Sequence, residues 1–297
     1  MKFKVDNLYN LAEMKKFTII VRCNDQQGII AATTSFILEN QGNITYVDQH
    51  VDHEQGVFFM RLECDFISRL FSSIEFSKSF EKSVAKKFNM NWELFDSESI
   101  PKMALFVSKY DHCLYDILGR FKSGELKVEI PFISSNHKDL GEIAERFDIP
   151  FFHVPISAET RKEAKLRHLE LLKSYDADFV VLARYMQIIP QGLIDAYPSK
   201  IINIHHSFLP AFVGAKPYHS AFERGVKIIG ATSHYVTTEL DAGPIIEQDV
   251  SRVSHTHTIK DLISKGRDLE KIVLSTAIKH HIQRKVMVYD NKTVIFS

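Results

Sequence analysis

Apolar residues fall along the chain in two rhythms. From Phe17 to Phe95 they form short runs separated by amphipathic segments: Phe17–Asn24, Asn43–His50, Val57–Phe66 and Asn91–Phe95 predict strands, while Gly28–Glu39 and Leu70–Phe88 predict helices. The element order is therefore βαββαβ. Asp96–Pro101, polar and closed by proline, predicts a short linker. Beyond it, strand-like runs at Met103–Ser108, Val128–Ser134, Phe151–Pro155, Asp178–Ala183 and Ile201–His205 alternate with helical periodicity at Cys113–Phe121, Leu140–Phe147 and Arg161–Ser174. Such alternation predicts a mainly parallel, doubly wound sheet with ligands outside the carboxyl ends of its strands. Pro217 is placed to open a helix ending at Gly225. Val226–Val236 and Gly243–Val250 predict two further strands, and Val286–Phe296 a closing hairpin. Ile259–Gln283 predicts a long helix with Leu262, Ile263, Leu269, Ile272, Val273 and Ile278 as its apolar stripe. The fold class is α/β in two domains, residues 1–95 and 102–297, joined by a linker over 96–101.

Two stretches carry candidate chemistry. Lys200–Pro210 reads KIINIHHSFLP, an apolar strand that ends abruptly in polar residues. Asn203 and His205 share one face of such a strand, about 7 Å apart along it, where an amide donor and an imidazole can address one carbonyl oxygen. Thr237–Ile246 reads TTELDAGPII and sets Asp241 in a turn, free of helix or ladder constraints. A carboxylate beside an imidazole fixes its tautomer and raises its basicity. Asn203, His205 and Asp241 thus form a candidate set of polariser, acid–base group and orienting base. Each motif also has a plain structural reading, as a solvated strand end and an ordinary turn. The segment LARYMQIIP at Leu182–Pro190 can lay backbone groups against a flat heterocycle, or simply connect a strand to a helix.

Composition narrows the classes. The chain has 297 residues, 37 basic and 37 acidic, and 45% hydrophobic residues, enough for one large globular domain or two ordinary ones, and its zero net charge argues against nonspecific nucleic-acid binding. Cys23, Cys64 and Cys113 are scattered without metal-ligand spacing and predict reduced thiols and no zinc site. His50 and His53 lack a third ligand nearby, and His255 and His257 precede a helix that Thr258 and Asp261 would cap. The start, MKFKVDNLYNLAEMKKF, has no apolar signal core, and no run approaches a membrane span, so a soluble cytoplasmic protein is expected. The loop after the first strand of the larger sheet, Ser108–Cys113, contains no glycine and cannot wrap amides around a phosphate. Neither a P-loop nor a dinucleotide fingerprint follows.

The ferredoxin-like order of the N-terminal unit, with Asn24-Asp25-Gln26-Gln27-Gly28 after its first strand and Gly42-Asn43-Ile44 after its first helix, resembles an ACT domain. That resemblance implies an amino-acid or other small-metabolite effector at a dimer interface, the helix after Gly28 offering its N-terminal amides to a carboxylate. Gln27 stands where many such domains carry proline, which leaves the loop less preorganised. The other reading is a unit that only drives oligomerisation.

The larger unit resembles the formyltransferase fold, whose members handle the formyl group of 10-formyltetrahydrofolate. The matching residues are LARYMQII, INIHHSFLP with Asn203 and His205, and LDAGPI, whose Asp241 lies 38 positions beyond Asn203. The whole chain, ACT-like front included, is similar to the branch of the family in which water is the acceptor. The resemblance implies hydrolysis of 10-formyltetrahydrofolate to formate and tetrahydrofolate, supplying formate to one-carbon and purine metabolism. It implies no cofactor and no metal, folate and water as partners, no nucleic acid or membrane, and a homo-oligomer. By the same resemblance folate contacts fall to the backbone around Gln187 and Ile189 and to Thr238, Glu239 and Leu240, with Met186 as an apolar wall; His206 and Lys216 stand nearby as supporting groups. Members that formylate glycinamide ribonucleotide have a Gly-rich phosphate-holding loop where this chain has Ser108–Cys113, and His-Pro-Ser where it has His205-His206-Ser207. A formyl transferase with an amine acceptor and a non-catalytic metabolite sensor are the alternatives.

Overall fold

A computed structural model describes residues 13–210 and 217–296. They divide into one compact unit reaching Ser99, with which Phe296 groups, and another from Ile100 to Ile295. In the first, strands β1 (Met14–Asn24), β2 (Asn43–Asp52), β3 (Val57–Ile67) and β4 (Asn91–Asp96) form an antiparallel sheet in the order β2-β3-β1-β4. Helix α1 (Ile29–Glu39) and helix α2 (Ser73–Phe80) supply Phe36, Phe76 and Phe80 to a core shared with Phe17 and Phe66. The predicted Leu70–Phe88 helix is split: Ser68–Leu70 is a 3₁₀ turn, the Ser72 side chain caps α2 by accepting from Glu75 N, and α2 runs through a π turn (Glu81–Ala85) into Lys86–Phe88.

The second unit is built on a seven-stranded sheet. Its strands are β5 (Met103–Val107), β6 (Ile133–Ser135), β7 (Phe151–His153), β8 (Phe179–Ala183), β9 (Ile201–His205), β10 (Ile228–Tyr235) and β11 (Ile245–Arg252), in the order β11-β10-β9-β8-β5-β6-β7. All five residues of β5 and of β8 are buried, as strands covered on both faces must be. Met103, Leu105 and Val107 face one core with helix α3 (His112–Lys122), helix α4 (Gly141–Arg146), helix α7 (Pro217–Glu223) and helix α8 (Ile259–Ile282); Ala104 and Phe106 face the other with helix α5 (Arg161–Ser174) and helix α6 (Gln191–Ala196). A hairpin of β12 (Val286–Tyr289) and β13 (Lys292–Ile295) closes the unit.

Three departures from expectation have local causes. Val128–Ser134 yields only Ile133–Ser135 as strand, with a lone bridge from Glu129 to Lys102, because Pro131 cannot donate to a ladder. One strand of the mainly parallel sheet is reversed: β10 runs antiparallel to both β9 and β11. The segment from 236 to 244 is too short for a crossover, which needs roughly a dozen residues or more, so β10 and β11 form a hairpin. On α8, Ile272 faces solvent and Leu274 and Ala277 take the core instead, while Thr258 and Asp261 form the expected reciprocal cap.

Candidate active site

Strand β9 carries the first two candidate groups to the rim of the sheet. Ile202 and Ile204 sit in one core and Ile201 in the other, so Asn203 and His205 continue the Ile201 face. The chain beyond is held by polar residues of β10: the Thr232 hydroxyl donates to Ser207 O at 2.9 Å and accepts from Leu209 N at 3.0 Å and from Gln248 Nε2 at 2.9 Å. Leu209–Pro210 is a cis peptide.

Asp241 reaches the same place from the β10–β11 turn. Its φ of 55° is left-handed, a conformation that aspartate tolerates better than most residues. The turn is pinned from several sides. Tyr235 N donates to Pro244 O (2.9 Å), the Thr237 hydroxyl to Glu239 O (3.1 Å) and Asn291 Nδ2 to Ala242 O (2.8 Å). Gly243 passes so close to the Tyr235 carbonyl that a Cβ there would collide with backbone. The Asp-Ala-Gly-Pro sequence is thus needed twice, for a left-handed residue and for a close approach.

These elements place Asp241 Oδ2 3.2 Å from His205 Nδ1. Asp241 Oδ1 lies 3.6 Å from Nε2 of His234, whose other ring nitrogen, Nδ1, is 3.0 Å from the Tyr235 carbonyl. Asn203 Nδ2 lies 3.2 Å from the same His234 Nε2. Burial alone would raise the Asp241 carboxyl, but hydrogen bonding and charge from His205 and then His234 outweigh it and hold the group well below the ordinary carboxylate range. His205 Nε2 is buried and has no protein partner among the described residues. An imidazole gripped at Nδ1 by a carboxylate, with Nε2 left open, is oriented for an external partner.

A cleft of about 310 Å³ surrounds the group. All nine residues singled out in the sequence line it: Asn203, His205 and Asp241, then Met186, Gln187 and Ile189 from the segment after β8, then Thr238, Glu239 and Leu240 from the turn. His206 lines it too, while Lys216 lies outside the described residues. Ile188 and Leu240 stand 75% and 65% exposed at its edges, apolar surface of the kind that ligands cover. The segment after β8 is held by Met186 N donating to the Ser108 hydroxyl at 3.0 Å, which itself donates to Asn136 Oδ1 at 2.6 Å.

Two features escaped the sequence reading. His234 sits inside an apolar strand and shows no motif; only the antiparallel register that pairs it with Asn203 reveals it, and the polar run Thr232-Ser233-His234 is the one signal in the sequence. The second is a buried cluster on α8. Glu270, 1% exposed, accepts from the Tyr218 hydroxyl at 2.6 Å, pairs with His112 Nε2 at 2.8 Å and lies 3.3 Å from Arg184 Nε. Burial would raise its carboxyl, and hydrogen bonding from His112 and the Arg184 charge lower it. With Cys113 the donor atoms of His112 and Glu270 come within 4.8 Å of one another, close enough for a metal. The neighbouring guanidinium and a thiol pushed up by burial instead suit an ion-pair network around Glu270.

Residues 101–278, which carry both the Asn-x-His strand end and the Asp-Ala-Gly-Pro turn, match the family model described as Formyl transferase. A formyltetrahydrofolate deformylase of Synechocystis sp. is 51% identical over 280 residues, spanning 94% of this chain and 98% of that protein. One from Bacillus subtilis is 46% identical over 285 residues, spanning 95% and 94%. The crystal structure of a formyltetrahydrofolate deformylase from Pseudomonas syringae pv. tomato matches with a TM-score of 0.92 at 45% identity, covering 98% of this chain and 97% of that one. The chain belongs to the formyltetrahydrofolate deformylase family within the formyl transferases.

Proposed function

We propose that the protein hydrolyses 10-formyltetrahydrofolate to formate and tetrahydrofolate, and so supplies formate to one-carbon and purine metabolism. The observation that carries this reading is the meeting of Asn203, His205 and Asp241 in one cleft with apolar walls. The folate ring would lie between Met186–Ile189 and Thr238–Leu240, its formyl carbon at Asn203 and His205. Water attacks that carbon, and the Asn203 amide and the His205 imidazole hold the oxyanion; one such donor is worth about 3 kcal/mol of barrier. Asp241 orients His205 and the water. With the Nε2–H of His205 given to the oxyanion, the water's proton passes to Asp241. The pair then protonates the departing arylamine-like nitrogen. These residues fill the polarising and proton-transfer roles, so the reading assigns no cofactor and no metal.

One observation favours an amine acceptor instead. A shallow hollow lined by His112 and by the α8 cations Lys260, Arg267 and Lys271 opens beside the glycine-free loop and could suit an anionic group. Against it, the hollow also holds the Asp268 carboxylate, which pairs with Lys271 at 2.8 Å, and two polar side chains of the loop are engaged within the protein, Ser108 with Met186 and Asn136, and His112 Nε2 with Glu270. Purified protein given 10-formyltetrahydrofolate without any acceptor should release formate and tetrahydrofolate in equal amounts. Tetrahydrofolate that appears only when an amine is added would refute hydrolysis.

The N-terminal unit is proposed to take an amino-acid effector and to mediate a homo-oligomer. A hollow lined by Asp25, Gln26 and Gly28–Ala31 with Gln49, Val51 and Phe58 supports the first part, since Gly28, at φ 91°, opens α1 there. Isothermal titration with a panel of amino acids should give heat for at least one member, and silence across the panel removes the effector.

A further inference from the structure

Among the residues lining the cleft, the proposed function gives those at 186–189 and 238–240 to folate and Asn203, His205 and Asp241 to the reacting carbonyl, with His234 beside Asp241. Arg184 and His206 remain as the polar flank. Three observations single out Arg184. Its φ of 61° is left-handed, a conformation that works against stability for a large side chain. It is 8% exposed, although it borders an open cleft. Its charge is clamped, with Nε 3.3 Å from Glu270 and the guanidinium 4.9 Å from the ring centre of Tyr110.

The clamp continues to the other flank. Glu270 accepts from the Tyr218 hydroxyl, the Tyr218 ring lies 6.0 Å from His206, and the His206 ring lies 5.2 Å from His205. Gly266, one turn before Glu270 on α8, leaves the room that the Tyr218 phenol occupies; a Cβ there would collide with it. A buried ion pair is a weak source of stability and left-handed backbone at arginine a cost. Strand β8 runs parallel to β9 with Leu182 opposite Asn203, so Arg184 follows at the strand end beside His205, and what the arrangement maintains is a filled flank there.

We propose that Arg184, held between Glu270 and Tyr110, is a specificity-determining residue that closes this flank to nucleophiles larger than water. The proposal rests on the hydrolytic reading above. With the flank open, a primary amine attacks the formyl carbon: a new C–N bond forms, the bond to the folate nitrogen breaks, and one amine proton passes to that nitrogen, giving a formamide and tetrahydrofolate.

The test measures partition. Full-length protein is incubated with 10-formyltetrahydrofolate and excess glycinamide, and formate and N-formylglycinamide are quantified by mass spectrometry against an enzyme-free control. Wild type should yield formate alone. Arg184→Gly, which suits the left-handed backbone, should bring N-formylglycinamide to about tenfold or more above the enzyme-free control. Tyr110→Ala, at a half-exposed position, should raise it less and decides the matter if Arg184→Gly does not fold. A wild-type ratio in every variant that folds and turns over overturns the proposal. So does a folded Arg184→Gly without turnover, which would put the guanidinium in the reaction, and so does a wild type that already formylates glycinamide. A wild type that frees no tetrahydrofolate until amine is added defeats the hydrolytic reading itself, a distinct result.

Discussion

Asp241 stands between two imidazoles, and its ionised state is what gives the proposed pair its direction. Asp241→Asn keeps the shape but loses the charge that grips His205 Nδ1. Turnover should fall by about 10²–10⁴-fold, with the thermal transition retained, as measured by formate release and circular dichroism; an active variant removes the assignment. Asn203→Ala should lower kcat by about 10²–10³-fold and leave KM less affected, because the amide acts on charge that develops only in the transition state. Asn203, His205 and Asp241 could be found in the sequence because polar residues at an apolar strand end and an acid in a Gly-Pro turn stand out. His234 could not, since its importance comes from a cross-strand register that no local pattern encodes. Arg184 was quoted within LARYMQII, but its partner Glu270 lies 86 positions away on α8.

The elements divide in the same way. The sequence located β9, an apolar run, and α5, a polar helix, to the residue, and the capping box of α8 was legible because both partners lie within one turn. Thr258→Ala should therefore cost about 1 kcal/mol of stability by denaturant titration without changing kcat; no loss would mean that water caps the helix equally well. The short connection over 236–244 signalled that β10 and β11 pair antiparallel, but the direction of β10 against β9 was not legible, because it depends on how the long connection over 206–227 packs and not on apolar content. Pro131 did signal the shortened strand at Val128–Ser134, and the apolar residues around it outweighed that signal. The β10–β11 turn links fold to chemistry. Gly243→Ala forces the turn away from the Tyr235 carbonyl and should cut activity while most of the fold survives, since the displaced residue would be Asp241.

At the scale of the whole molecule, the chain divides into two compact units, and no described helix is long and apolar enough to cross a membrane. The second unit holds two histidines whose charged forms are disfavoured, His168 buried and His281 partly buried. Burial drops His168, beside Phe106 and in contact with the Ser134 hydroxyl, to about 4, and drops His281, 2.8 Å from the Tyr235 hydroxyl, to about 3. An unfolded histidine titrates near 6.5, so between there and the folded values the unfolded chain binds more protons. Stability should hold above pH 6.5 and decline as pH falls towards 4, by up to about 1.4 kcal/mol per pH unit for each group. Urea midpoints at pH 7 and pH 5 read this directly; equal midpoints contradict it.

The central claim is that solvent, and no larger nucleophile, attacks a carbonyl held by Asn203 and His205. Formate released in ¹⁸O-water, with no acceptor present, measures it most directly. The account predicts one ¹⁸O in each formate and one tetrahydrofolate per formate. Formate without the label, or no formate until an amine is supplied, would contradict it.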